Sequence, residues 1–300
     1  LHDALPIYPS SRPAALGLGS STFGREIDPA AAFALLDHAA ACGINFLDTA
    51  ALYSAGAAER IIGAWLATRR PAPGAVFLAT KIYPPYDEAA MTAAFEASLA
   101  RLGRDSIDLL YLHKWDAMAA TPEALRTLDR FVRDGRTRAI GASNFTAEQL
   151  ALTWRLQCEL GAARFTFLQN NHNLAVREAD EAVRTFCAQH AIQVITYSPL
   201  GAGFLSGKHR DRVQPGTRFD VSPGHRDIYF TATGWSRLDA LERLARRLAV
   251  PQTLLAQAWV MHHAGIDRVI IGGRSPSHID QALAALAFEV PDAFTELDAT

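Results

Sequence analysis

Cysteine is scarce in this chain of 300 residues: Cys42, Cys158 and Cys187 stand far apart and odd in number. Such a set excludes a disulfide framework and a cysteine-built zinc module. It reads instead as buried thiols of a reducing compartment, a cytoplasmic setting. The histidines show no ligand spacing, so no metal is expected. A dominant charge of one sign is also missing: 29 Lys and Arg face 31 Asp and Glu, for a net charge of −2. Nothing in that balance marks a nucleic-acid or anionic-membrane binder. No apolar run approaches the about 18 residues that a membrane span needs. Lysine is limited to Lys81, Lys114 and Lys208, and arginine carries the remaining positive charge, as in a chain encoded by a GC-rich genome. An initiating Met is absent. Leu1–Ile7 has neither the basic nor the apolar region of a signal peptide. It resembles a translated sequencing-library adapter. Residues 1–7 are therefore expected to be non-native and 8–300 a single domain, with shortening at both ends an open reading.

What is present points to a packed protein. Hydrophobic residues make up 49% of the chain and charged residues 20%, which excludes disorder. The length suits one barrel of about 250 residues or two domains of about 150. Short β-rich runs alternate with amphipathic stretches. Strands are expected at Ala15–Leu18, Asn45–Asp48, Val76–Lys81, Ile107–His113, Thr137–Ser143, Phe165–Asn170, Ile192–Tyr197 and Arg268–Gly272. Their apolar residues run consecutively, as in strands covered on both faces. Helix signals fall between them. Asp28-Pro29 opens one helix and Gly43 follows it, Gly103 closes another, Thr121-Pro122 opens the next, and others begin near Ala147 and Glu178. Strand ends recur about every 26 to 33 residues, close to one βα unit each, so the chain reads as an α/β (β/α)8 TIM barrel. A doubly wound open sheet is disfavoured, because Gly17-Leu18-Gly19-Ser20-Ser21-Thr22 after the first strand lacks the third glycine of a dinucleotide fingerprint.

In such a barrel the active site lies at the C-terminal ends of the strands. Asp48, Lys81 and His113 end three consecutive strands, and Tyr53 lies on the adjoining loop. Taken singly, each has an ordinary explanation: a turn Asp, a rim Tyr, a core His. A lysine ending an apolar strand is less ordinary, because a buried ammonium needs a partner. Together they make chemistry. An ammonium favours phenolate and is expected to lower the pKa of Tyr53, Asp48 can neutralise and orient Lys81, and His113 can donate to a carbonyl oxygen. The set suits protonation of an oxyanion as hydride arrives at carbon.

Four segments carry a resemblance to the aldo-keto reductase family: Asp48-Thr49-Ala50-Ala51-Leu52-Tyr53, Tyr111-Leu112-His113-Lys114-Trp115-Asp116, Gly141-Ala142-Ser143-Asn144-Phe145, and Tyr197-Ser198-Pro199-Leu200-Gly201 with Gly207-Lys208. The likeness runs in family order from about Leu16 to about Leu286. It implies an enzyme that reduces aldehydes or ketones with NADPH, NADH being possible, in a barrel without a Rossmann fold. It also implies roles. Tyr53 is the general acid/base, tuned by Lys81 and Asp48, and His113 orients the carbonyl. Ser143, Asn144 and Gln169 bind the nicotinamide carboxamide, and Tyr197 stacks on the ring. Ser198, Pro199, Leu200, Gly201 and Lys208 hold the pyrophosphate. Gly272, Gly273, Arg274, Ser275 and His278 surround the adenosine phosphate. Gly272 and His278 stand where family members often carry Lys or Arg, and Ala282 where many have Asn. Arg274 is left as the cation for a 2′-phosphate.

Phe23, Tyr83, Pro84, Pro85, Tyr86 and Trp115 follow the first, third and fourth strands and are expected to form an aromatic mouth for a small carbonyl substrate. Two other functions stay open. One is a non-catalytic or regulatory barrel of the same family that binds the nucleotide without turnover. The other is a lyase or isomerase barrel with Lys81 as a Schiff-base lysine.

Overall fold

The computed structural model of the protein describes residues 14–289 and 294–300. Leu1–Ile7 lies outside them. Eight parallel strands close into a barrel in sequence order: β1 (Ala15–Gly19), β2 (Phe46–Asp48), β3 (Phe77–Ile82), β4 (Ile107–Leu112), β5 (Thr137–Ser143), β6 (Phe167–Asn171), β7 (Gln193–Tyr197) and β8 (Arg268–Gly272). Closure comes from β1 against β8, paired from Ala15↔Arg268 to Gly19↔Gly272. Helices α1 (Pro29–Ala41), α2 (Ala57–Arg69), α3 (Glu88–Leu102), α4 (Pro122–Arg133), α5 (Ala147–Leu160) and α6 (Glu181–Gln189) each follow one of the first six strands. A long excursion after β7 carries the short α7 (Arg218–Val221) and α8 (Arg226–Tyr229), then α9 (Ala232–Leu248) and α10 (Gln252–Met261). After β8 come α11 (Pro276–Leu286) and α12 (Thr295–Asp298).

The consecutive apolar residues of the strands serve two separate cores. One set packs outward against the helices. The other fills the barrel interior with Phe46, Ala79, Leu109, Tyr111, Phe167, Ile195 and Ile270. The interior is therefore solid below the mouth, as barrels of this size require. Its space is fully used: a Cβ on Gly141 would come within 2.7 Å of the Tyr111 ring.

Caps set the helix ends. The Asp28, Asp87 and Asp180 carboxylates accept from backbone N–H groups at the starts of α1, α3 and α6. Thr146 and Gln149 form a reciprocal capping box on α5. Helix α6 begins at Glu181 rather than near Glu178, because residues 172–180 fold into a turn in which the Glu178 N–H donates to the Asn171 carbonyl. The thiols differ from expectation: Cys187 is buried, Cys42 is half-buried and Cys158 is exposed. Cys158 lies on the amphipathic α5, and its position in the turn places it toward solvent. Among the described residues, no helix is long and apolar enough to cross a membrane.

Candidate active site

The parallel register brings polar strand ends to one rim. Asp48 is level with Ala79 on β3, and Lys81 with Tyr111 on β4, so Asp48, Lys81 and the residue after β4, His113, face a common mouth. Lys81 is 1% exposed and Asp48 2%. The Lys81 ammonium donates to Asp48 Oδ2 at 2.5 Å, to the Thr49 carbonyl at 2.9 Å and to the Tyr53 hydroxyl at 3.4 Å. Three acceptors match its three N–H bonds. Asp48 Oδ1 accepts from the Gln169 amide at 2.8 Å, which fixes the carboxylate on both oxygens. The Tyr53 and His113 rings meet edge to face at 5.8 Å.

Burial decides the charge states. It opposes the Lys81 ammonium, but Asp48 and Tyr53 outweigh it, so Lys81 is held above its usual pKa. A free amine is what a Schiff-base lysine needs, and this arrangement withholds it. For Tyr53 the expected lowering is reversed. Burial raises the phenol more than Lys81 lowers it, so Tyr53 keeps its proton at neutral pH. Burial and then Lys81 and Lys114 push His113 down to about 3, leaving a neutral imidazole.

A cleft of about 400 Å³ runs from this group across the strand ends to α11. Ser143, Asn144, Gln169 and Tyr197 line its inner end. The Asn144 amide donates to the His113 carbonyl at 2.8 Å and accepts from the Tyr197 hydroxyl at 2.7 Å. Asn144 and Ser198 sit at φ of 60° and 58°, a left-handed backbone that costs energy and concentrates at functional sites. Further out, Ser198, Pro199, Leu200 and Lys208 form one wall, and Gly272, Gly273, Arg274 and His278 the other.

The donor set at that outer end fits an anion. Lys208 is opposed by burial and by the Arg274 charge, and Arg274 itself donates to the Gly216 carbonyl at 3.1 Å. Two cations facing one cleft next to the start of α11 match the phosphates of a dinucleotide.

Several expected residues lie elsewhere. Phe23 and Tyr86 are 0% exposed: Phe23 packs in the core, and the Tyr86 hydroxyl donates to the Lys114 carbonyl at 2.9 Å. Trp115 packs edge-on against Phe145 at 5.2 Å and does not line the cleft. Tyr83 is 41% exposed and 5.8 Å edge-on from His113, but like the other three it is not among the residues that line the cleft. Gly201 is buried against Tyr229, and the Ser275 hydroxyl pairs with Ser277 and His278, so neither lines the cleft.

Other lining residues escaped the sequence reading: Glu26, Asn171, Arg218, Ile228, Tyr229 and Gln281. Asn171 had a signal, since it stands two residues after Gln169 on a strand whose alternate residues share a face. Glu26 and Arg218 had none. They meet at 3.3 Å across 192 residues of sequence, from the loop after β1 and the start of α7.

Comparison with known proteins gives a consistent picture. Residues 15–299 match the sequence model of the Aldo/keto reductase family. The chain is 29% identical over 294 residues to an uncharacterized oxidoreductase (YrpG) of Bacillus subtilis, covering 90% of this chain and 86% of that protein. It is 33% identical over 278 residues to a 6-dehydroglucose reductase of Novosphingobium aromaticivorans, covering 86% and 81%. Among solved structures, an aldo/keto reductase from Klebsiella pneumoniae in complex with NADP and acetate is similar at a TM-score of 0.72 and 26% identity, covering 95% of this chain and 90% of that one.

Proposed function

The chain belongs to the aldo/keto reductase family, and on that premise we propose that it reduces aldehydes or ketones to alcohols with NADPH, NADH being the second candidate. The observation that carries this reading is the buried Lys81 ammonium, shared between Asp48 and the Tyr53 hydroxyl, with neutral His113 edge-on to that phenol.

When bound, the nicotinamide would supply hydride to the carbonyl carbon. The protein's residues do the rest. His113 donates a hydrogen bond to the carbonyl oxygen and holds it toward Tyr53. Tyr53 gives its phenolic proton to that oxygen as the C–O double bond becomes single. The phenolate that remains is stabilised by Lys81, whose own charge Asp48 balances. A phenol that burial keeps protonated is the correct resting state for the reductive direction. Asn144, Ser143 and Gln169 would hold the carboxamide of the nicotinamide, and Tyr197, whose hydroxyl donates to Asn144, would stack on its ring. Lys208 and Arg274 take the phosphates, Arg274 being the candidate for a 2′-phosphate.

Apolar side chains stand exposed near the mouth: Leu52 at 56%, beside Tyr53, Tyr83 at 41% and Ile228 at 43%. They suit a carbonyl with an apolar or aromatic substituent. The described residues act as a single barrel in this reading.

The Tyr53→Phe variant tests it. Carbonyl reduction on a panel of aromatic and medium-chain aldehydes should fall by about 10² to 10⁴-fold, the usual worth of a general acid. NADPH affinity, read by fluorescence titration, should barely change. Retained reduction in the variant would overturn the mechanism. Tight NADPH binding with no turnover by the parent protein would point to a nucleotide-binding barrel without catalysis.

A further inference from the structure

We propose that His38, Cys42 and Asp280 form a zinc site that clamps α1 to α11. It lies on the outside of the barrel and is independent of the catalytic reading.

His38 lies in the last turn of α1 and Cys42 is its C-cap, four residues on, which brings the two side chains together. Asp280 comes from α11, which packs against α1. One ligand atom from each residue lies within 4.8 Å of the other two. Cys42 Sγ is 3.7 Å from His38 Nε2, and Asp280 Oδ1 is 2.7 Å from the same nitrogen. Zinc binds nitrogen at about 2.1 Å and sulfur at about 2.3 Å, so tetrahedral angles set the N to S edge at about 3.6 Å. The observed sulfur–nitrogen separation already matches that edge. The corresponding N to O edge is about 3.4 Å, so the carboxylate has to retreat by about 0.7 Å. The Asp280 side chain is 60% exposed and has room to do so.

The donor chemistry is equally suited. Nitrogen, thiolate sulfur and carboxylate oxygen are the three zinc ligand types, and a soft thiolate disfavours magnesium and calcium. On binding, the Cys42 thiol releases its proton to solvent and the sulfur takes the metal. Thiolate and carboxylate then neutralise the dication. Water fills the fourth position on the exposed side. Neighbours of Asp280 on α11, His278 and Gln281, face the cofactor cleft, so the clamp fixes the helix that walls its outer end.

Without a metal, His38 Nε2 only shares hydrogen bonds with the Asp280 carboxylate and the Cys42 thiol. Titration of the reduced, metal-stripped full chain separates the two cases. Zinc is followed by competition with a chromophoric chelator, and cobalt(II) by its absorption. The site predicts one strong equivalent, a thiolate-to-cobalt charge-transfer band and tetrahedral d–d bands. Cys42→Ser should abolish the band, with folding checked by circular dichroism. Asp280→Asn should weaken zinc by about tenfold or more, since even outer-shell changes cost that much. Zinc should raise the midpoint of thermal unfolding of the parent chain and not of Cys42→Ser. No binding at micromolar zinc would overturn the proposal. So would an unchanged equivalent in Cys42→Ser, or a cobalt spectrum without a thiolate band.

Discussion

Taking the Lys81 ammonium out of water costs several kcal/mol, and the site offsets this with Asp48 at 2.5 Å and the Thr49 carbonyl at 2.9 Å. Removing one partner leaves the other charged and buried. Asp48→Ala is therefore expected to destabilise the fold by about 3–5 kcal/mol in urea unfolding. The double variant Asp48→Asn/Lys81→Met should recover most of that loss, because no unpaired charge remains, while staying inactive. Wild-type stability in Asp48→Ala would mean that water reaches the ammonium. Asp48, Lys81 and His113 were legible in the sequence only jointly, because they end three consecutive apolar strands and a strand-end lysine needs a buried partner. Phe23 and Tyr86 misled for the opposite reason. An aromatic residue after a strand packs inward or outward equally well, and only the tertiary fold chooses. The direction of the Tyr53 shift was hidden too: the sequence shows a neighbouring lysine but not the burial that outweighs it.

Elements were read well where local chemistry fixes them. Asp87 before α3 and Gly103 after it are a cap and a left-handed terminator, and both are visible as residue types. The start of α6 was not visible, because its delay depends on a turn held by the Asn171 carbonyl from another element. Contacts between helices were equally silent. Gly63 sits inside α2, where alanine is the better helix former by about 1 kcal/mol. Yet a Cβ there would meet the Arg101 carbonyl oxygen at 2.6 Å and the Leu102 carbonyl carbon at 2.9 Å. Both atoms are backbone, so α3 as a whole would have to move. Overpacking of this kind costs about 1–3 kcal/mol and outweighs the propensity gain. Gly63→Ala is thus expected to lower the urea midpoint. A raised midpoint would show that α2 and α3 slide apart freely. The same contrast applies to His38 and Cys42: their four-residue spacing is in the sequence, but Asp280 reaches them only because α11 packs on α1.

On the scale of the whole molecule, the recurrence of strand ends made the eightfold repeat legible, while closure of β1 on β8 left no mark in either strand. The long excursion after β7 was equally opaque, since its Arg218–Glu26 contact joins residues 192 positions apart. Closure has an acid-stability consequence. It partly buries His113 at the mouth, and the turn after β6 buries His172 beneath Trp259 with its Nδ1 accepting from the Ala179 N–H. Burial, as the leading cause, lowers both to about 3 from 6.5. The unfolded chain takes up these protons near pH 6.5 and the folded chain only near 3, so stability is complete above 6.5 and is lost as pH falls through that window. At pH 5 each histidine accounts for about 2 kcal/mol of lost stability. The unfolding free energy should therefore drop by about 4 kcal/mol between pH 7.5 and pH 5 from these two groups. His172→Phe separates this from other acid effects. It removes one of the two titrating groups, so its stability should fall only about half as steeply over the same range, whatever its starting value. Curves for parent and variant that run parallel from pH 7.5 to pH 5 would show that His172 takes its proton without unfolding.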